Sequence, residues 1–163
     1  MSRKFRSLVK SHEHRVYTLA VYLLRDRSEA EDVAQESFLK LWNNMDQVDH
    51  ERAGAWLNKV ARNACLDRLR KRRPQTEVTD YHLGTDQVQD PGAALEQKQL
   101  GTWLRNAIGD LKEPYRSLVV LRDVQQNSYR DVAQTLELSM DQVKVYLHRA
   151  RRQLRDNLEE VRT

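Results

Sequence analysis

The chain has 163 residues, of which 39% are apolar and 32% charged, with five glycines and three prolines. That length fits two small domains or one of middle size, and the high charge argues against one large core. A formal net charge of +4 suits a polyanionic partner without requiring one, so where the charge lies matters more than its sum. Few stretches alternate apolar with polar residues, and with so little glycine and proline the pattern predicts an all-α protein. Cys65 is the only cysteine, which excludes an internal disulfide, and its place in an apolar stripe reads as a buried, inert thiol. The first residues carry no long apolar core and no run reaches membrane-spanning length, so the expectation is a cytoplasmic protein without membrane insertion.

In chain order, Phe5, Leu8, Val9, Val16, Leu19, Ala20 and Leu23 recur at helical spacing and predict a first helix to about Leu24. Ser28, with Glu31 three residues on, reads as the capping box of a second helix. Its inward stripe is Ala30, Val33, Ala34, Phe38, Leu41, Trp42 and Met45. Asp46 to Arg52 reads as a loop. A third helix is expected from Ala53, with Trp56, Leu57, Val60, Ala61, Ala64 and Cys65 inward and Pro74 stopping it. Residues 1–74 thus form a first small domain. From Gln75 to Gln97 the chain holds Glu77, Asp80, Asp86, Asp90 and Glu96 and neither lysine nor arginine. Residues 75–94 read as a flexible acidic linker, and 95–163 as a second domain. Leu100, Trp103, Leu104, Ala107, Ile108 and Leu111 mark its first helix, and Pro114 opens the next. Ser128 caps a short helix. Ser139, with Gln142 in the capping-box position, opens a long last helix whose inward stripe is Val143, Leu147, Ala150, Leu154, Leu158 and Val161.

Ser128 to Arg152 therefore has the spacing of a helix-turn-helix. Its second helix leaves Asp141, Lys144, Val145, His148 and Arg152 on one face, with Arg149 and Arg151 flanking it. Donors of that kind suit base edges and phosphates, so this face is a DNA-binding candidate rather than a merely solvated one. Between Glu51 and Arg73, eight bases stand against two acids, a net +6. Cations at a helix C-terminus explain part of this, but four consecutive bases at Arg70, Lys71, Arg72 and Arg73 exceed what capping needs and point to phosphate contact. Glu29, Asp32 and Glu36 form an acidic edge on the second helix, open to two readings: a solvated face, or a dock for a basic protein. The five histidines are scattered, without cysteine or paired-carboxylate partners at metal spacing, and no phosphate loop or nucleophile elbow appears. No catalytic residue, cofactor or metal is expected.

Taken together, Ala30-Glu31-Asp32-Val33-Ala34-Gln35-Glu36-Ser37-Phe38-Leu39-Lys40-Leu41-Trp42, Ala55 to Asn63 with the basic run, Tyr115-Arg116 through Asp123, Ser128 to Ala133, and Val143 to Arg151 resemble the extracytoplasmic-function sigma factors of the sigma-70 family. The resemblance covers nearly the whole chain. It implies a region 2 domain and a region 4 helix-turn-helix domain, and a non-enzymatic protein that brings core RNA polymerase to promoters and helps open the DNA. It implies docking on the polymerase clamp helices through Glu29, Asp32, Gln35 and Glu36, with further contact to the flap of the other large subunit. Lys59, Arg62, Asn63, Arg68, Arg70, Arg72 and Arg73 would hold the minus-ten element as a single strand, with one base flipped. Arg122, Lys144, Val145, His148, Arg149 and Arg152 would read the minus-thirty-five duplex. Val145 stands where many members carry an arginine, so an apolar contact such as a thymine methyl replaces a hydrogen bond there. By the same resemblance an anti-sigma factor is expected as a further partner. The linker keeps two readings: a soluble tether, or a segment threading a basic polymerase channel. A helix-turn-helix regulator acting alone, or a nucleic-acid enzyme, are the rivals; neither accounts for the acidic edge and the second basic helix together.

Overall fold

The computed structural model describes residues 2–72 and 95–162, with side chains described for 2–72 and 101–160. The expected linker, Arg73, Pro74, and the side chains of Leu100 and Val161 lie outside the described residues. Every regular element among the described residues is helical: α1 (Arg3–Leu24), α2 (Arg27–Asn43), α3 (Ala53–Lys71), α4 (Leu95–Gly109), α5 (Tyr115–Val119), α6 (Tyr129–Leu136) and α7 (Met140–Arg162).

α1 starts where the Ser2 hydroxyl accepts from the Phe5 N–H at 3.1 Å, and ends at Arg25, which turns into the left-handed region at φ 54°. α2 begins two residues earlier than its expected capping box. Asp26, not Ser28, is the cap, its carboxylate accepting from the Glu29 N–H at 3.0 Å. Both residue types cap well, and the left-handed Arg25 leaves Asp26 already extended for the role. A short 3-10 turn, His50–Arg52, leads into α3. There Gly54 lets α1 pass close: a Cβ would stand 3.0 Å from the His12 ring.

In the second half, the Ser128 hydroxyl accepts from Asp131 N–H at 3.1 Å. Ser139 and Gln142 close a reciprocal capping box: the Ser139 N–H donates to Gln142 Oε1 at 2.9 Å and the Gln142 N–H to Ser139 Oγ at 3.1 Å. Glu137, at φ 57°, turns the chain between α6 and α7. One feature outside the expected pattern lies between α5 and α6, where α5 continues as a π-helical turn, Val120–Val124, with the Gln125 N–H donating to the Val120 carbonyl at 2.9 Å.

The buried apolar residues form one cluster that runs from Phe5 through Leu57 and Cys65 to Leu121, Leu147 and Ala150. α1 is its spine, touching α2 and α3 and also α4, α5 and the π-helical turn. Eight of the nine residues from Val16 to Leu24 are buried, including Val21, Tyr22 and Leu24, off the expected stripe. A helix apolar all round is enclosed on all sides, and here the second half supplies the enclosure. Cys65 lies inside this core, where burial pushes its thiol up to about 12 and keeps it neutral. Trp42, expected inside, is 43% exposed and packs edge-on against Phe5, with ring centroids 5.0 Å apart.

Candidate nucleic-acid interface

The buried stripe of α7, Val143, Leu147 and Ala150, decides what its other face presents. Lys144, Val145, His148, Arg149 and Arg152 are all exposed on it, as is Asp141. Two contacts fix this helix against the rest of the domain. Arg151 forms a two-pronged pair with Asp123 of the π-helical turn at 2.6 and 3.1 Å, and hydrogen bonding to that carboxylate raises the guanidinium above its ordinary pKa. Tyr146 meets Tyr115 edge-on at 6.3 Å, and the Arg149 guanidinium lies 5.7 Å from the Tyr146 ring centre. Arg122 is placed differently from the α7 residues. Its guanidinium stacks over Tyr129 at 4.5 Å and donates to the Asn127 carbonyl at 2.8 Å, so it also braces the start of α6.

On α3 the basic side chains and Asn63 fall into three groups. Asn63 and Arg70 are exposed, Arg70 and Lys71 sharing Asp67 at 3.6 and 3.0 Å. Arg68 and Arg72 turn back to α2: Arg68 pairs with Glu36 at 2.7 Å, and Arg72 pairs with Glu29 and donates to the Leu24 carbonyl. Two of the four expected docking residues therefore already hold cations of the expected minus-ten set. Asp32 and Gln35 remain exposed on α2 beside them. Lys59 and Arg62 point the other way, into the second half of the chain. Lys59 Nζ stands 2.5 Å from Glu137, and this hydrogen bond lowers the Glu137 carboxyl below its ordinary pKa. Arg62 donates to Ser117 Oγ at 2.9 Å and to Glu113 at 3.3 Å. Glu113 also accepts from Ser117 Oγ at 2.8 Å and from Arg116 at 3.3 Å. Burial holds the Arg116 guanidinium below its ordinary value despite that carboxylate.

Sequence reasoning missed the partners of these cations. Asn58, one residue before Lys59, is buried and donates its amide to Gln125 Oε1 at 3.0 Å, while Gln125 Nε2 donates to the Arg15 carbonyl at 2.9 Å. Two polar residues inside a helical stripe and just past a helix end carried the only signal. Leu39, 61% exposed, and Trp42 flank a groove of about 1040 Å³ between α1 and α2, lined by Phe5, Val9, Tyr17 and Phe38. Among the described residues no group of three or more His, Cys, Asp or Glu is placed to hold a metal, and no helix is long and apolar enough to cross a membrane.

Two family models match the chain: sigma-70 region 2 over residues 8–75, and sigma-70 region 4 over residues 102–154. The chain is 32% identical to the ECF RNA polymerase sigma factor SigL of Mycobacterium tuberculosis, over 96% of this chain and 89% of that protein. It is 29% identical to SigW of Bacillus subtilis, with 96% and 90% covered, and 32% identical to SigE of Mycolicibacterium smegmatis, of which it spans 60%. In fold it is similar to the sigma factor RpoE from Bartonella quintana, solved with the anti-sigma factor NepR, at a TM-score of 0.76 and 19% identity over 97% of this chain and 98% of that one. It is also similar in fold to CnrH, solved with the cytosolic domain of CnrY, at a TM-score of 0.72 and 24% identity over 96% and 88%.

Proposed function

The chain belongs to the sigma-70 family, as an RNA polymerase sigma factor of the extracytoplasmic-function type, and on that premise we propose which of its faces does which part of the work. It binds core RNA polymerase and directs it to promoters for the start of transcription. The α2 edge is the polymerase dock, with Asp32 and Gln35 as its free residues and Glu29 and Glu36 set in place by Arg72 and Arg68. α3 holds the minus-ten strand, through Lys59, Arg62, Asn63, Arg68, Arg70, Arg72 and Arg73. α7 reads the minus-thirty-five duplex through Lys144, Val145, His148, Arg149 and Arg152, with Arg122, stacked on Tyr129 at the start of α6, as a further contact. An anti-sigma factor is its natural antagonist, as NepR is the bound partner of RpoE, the protein of like fold.

The observation that carries this reading is the exposed row of α7, rigidly based on Val143, Leu147 and Ala150 and the Arg151–Asp123 pair. Lys144→Ala and Arg149→Ala are expected to weaken binding of holoenzyme to promoter duplex and leave binding to core polymerase unchanged. Each phosphate that a variant no longer neutralises should lower the slope of log affinity against log salt by roughly 0.9. Titration of labelled promoter DNA at several salt concentrations checks this. Equal affinity and slope in both variants and the parent would remove α7 from the DNA interface.

A further inference from the structure

We infer that Tyr146 is a positioning residue for the minus-thirty-five duplex: its ring holds the Arg149 guanidinium toward the N-terminal half of α7 and leaves the N–H donors of that guanidinium free for DNA. The inference rests on the reading of α7 as the duplex-reading helix. Tyr146 stands beside the buried Leu147 and packs on the rim of the core, while Arg149, three residues on, is exposed. Residues three apart on a helix are surface neighbours, and a long helical side chain leans back over the turn before it. Arg149 thus comes to rest 5.7 Å from the Tyr146 ring centre, within reach of a cation–π contact. Tyr146 is itself braced, edge-on against Tyr115 at 6.3 Å.

The neighbouring arginines show what this contact does differently. Arg151 gives its donors to Asp123 in a two-pronged pair at 2.6 and 3.1 Å, so it fixes α7 rather than reading DNA. Arg122 lies over Tyr129 at 4.5 Å but also gives a donor to the Asn127 carbonyl at 2.8 Å. Arg149 has neither tie, and among the described residues the Tyr146 ring is the group that meets its guanidinium. A carboxylate fixes an arginine by consuming the N–H edge that would read a base or hold a phosphate. A ring attracts it through the π face and consumes no donor. The lean is toward Lys144 and Val145, and the N-terminal half of the second helix is the part of a helix-turn-helix that reaches base edges. An unheld arginine loses much of its rotamer freedom on binding, and one already resting in a single arrangement loses less.

A double-mutant cycle on the holoenzyme tests this. Tyr146→Phe, Tyr146→Leu, Arg149→Ala, and the double variant Tyr146→Leu with Arg149→Ala are each titrated with one labelled promoter duplex. Tyr146→Leu keeps apolar bulk on the core side and removes the ring. It should weaken duplex binding roughly two- to fivefold, the span of an exposed cation–π contact, with core polymerase association unchanged. Tyr146→Phe, which keeps the ring, should bind as the parent does. In the Arg149→Ala background, Tyr146→Leu should cost nothing further. An equal loss in both backgrounds would overturn the inference, since Tyr146 would then act on the DNA or the fold by itself. Parent affinity in Tyr146→Leu would overturn it as well. If Tyr146→Leu melts early by circular dichroism, Tyr115→Leu takes its place in the cycle: it leaves the ring unbraced, and its loss should appear only where Arg149 is present. Failure of the underlying reading looks different, because Arg149→Ala would then itself bind promoter duplex as tightly as the parent.

Discussion

Asp32→Lys is expected to abolish co-purification with core RNA polymerase. Asp32 is exposed on the edge of α2, while its neighbours on that edge are committed: Glu29 to Arg72 and Glu36 to Arg68. It is therefore the carboxylate whose charge is most available to a basic partner. Reversing that charge places a cation against the partner's cations, a cost of about 2–5 kcal/mol where the contact is desolvated, or roughly three-hundredfold in affinity at the middle of that range. The fold should persist, since the inward side of α2 is Ala30, Val33, Ser37 and Leu41. Glu36→Lys is a less clean variant, because it would also leave Arg68 without its partner and set two cations together. Pull-down with core polymerase, alongside circular dichroism of the variant, checks the result. Retained association in a folded Asp32→Lys protein would contradict the dock.

Leu19→Ala is expected to lower the thermal midpoint of the whole chain by on the order of 10 °C. Leu19 is fully buried in the C-terminal half of α1, the helix that both halves of the core share. Truncating a buried leucine costs about 2–5 kcal/mol through forfeited transfer energy and the cavity left behind. In a protein of this size each kcal/mol moves the midpoint by roughly 2–4 °C or more. Helix signal at 222 nm followed with temperature gives the value. A shift under a couple of degrees would mean that the shared core is not what holds the molecule together.

Much of the fold is legible locally. The start of α3 at Ala53, the Ser128 cap and the Ser139–Gln142 capping box follow from residue type and spacing, because the hydrogen bonds involved span only a few residues. The start of α2 differs from the expected one because Asp26 and Ser28 are both good caps, and the left-handed turn at Arg25 decides between them. Trp42 falls on the apolar stripe but ends at its rim, edge-on against Phe5. The run from Val16 to Leu24 is apolar on every face, a sign that a second body covers α1, which a single inward stripe does not convey. The site is legible in composition and not in pairing. Lys59 and Glu137 are 78 residues apart and Arg62 and Glu113 are 51 apart, and no periodicity links such positions.

Run-off transcription with core RNA polymerase, with and without this protein, on genomic promoter fragments of the native host, decides whether the chain directs initiation. Discrete promoter-specific transcripts are expected only when the protein is present, and should disappear with Asp32→Lys. Identical transcripts with and without the protein, or tight binding of promoter duplex by the protein alone with no change in polymerase activity, would contradict it.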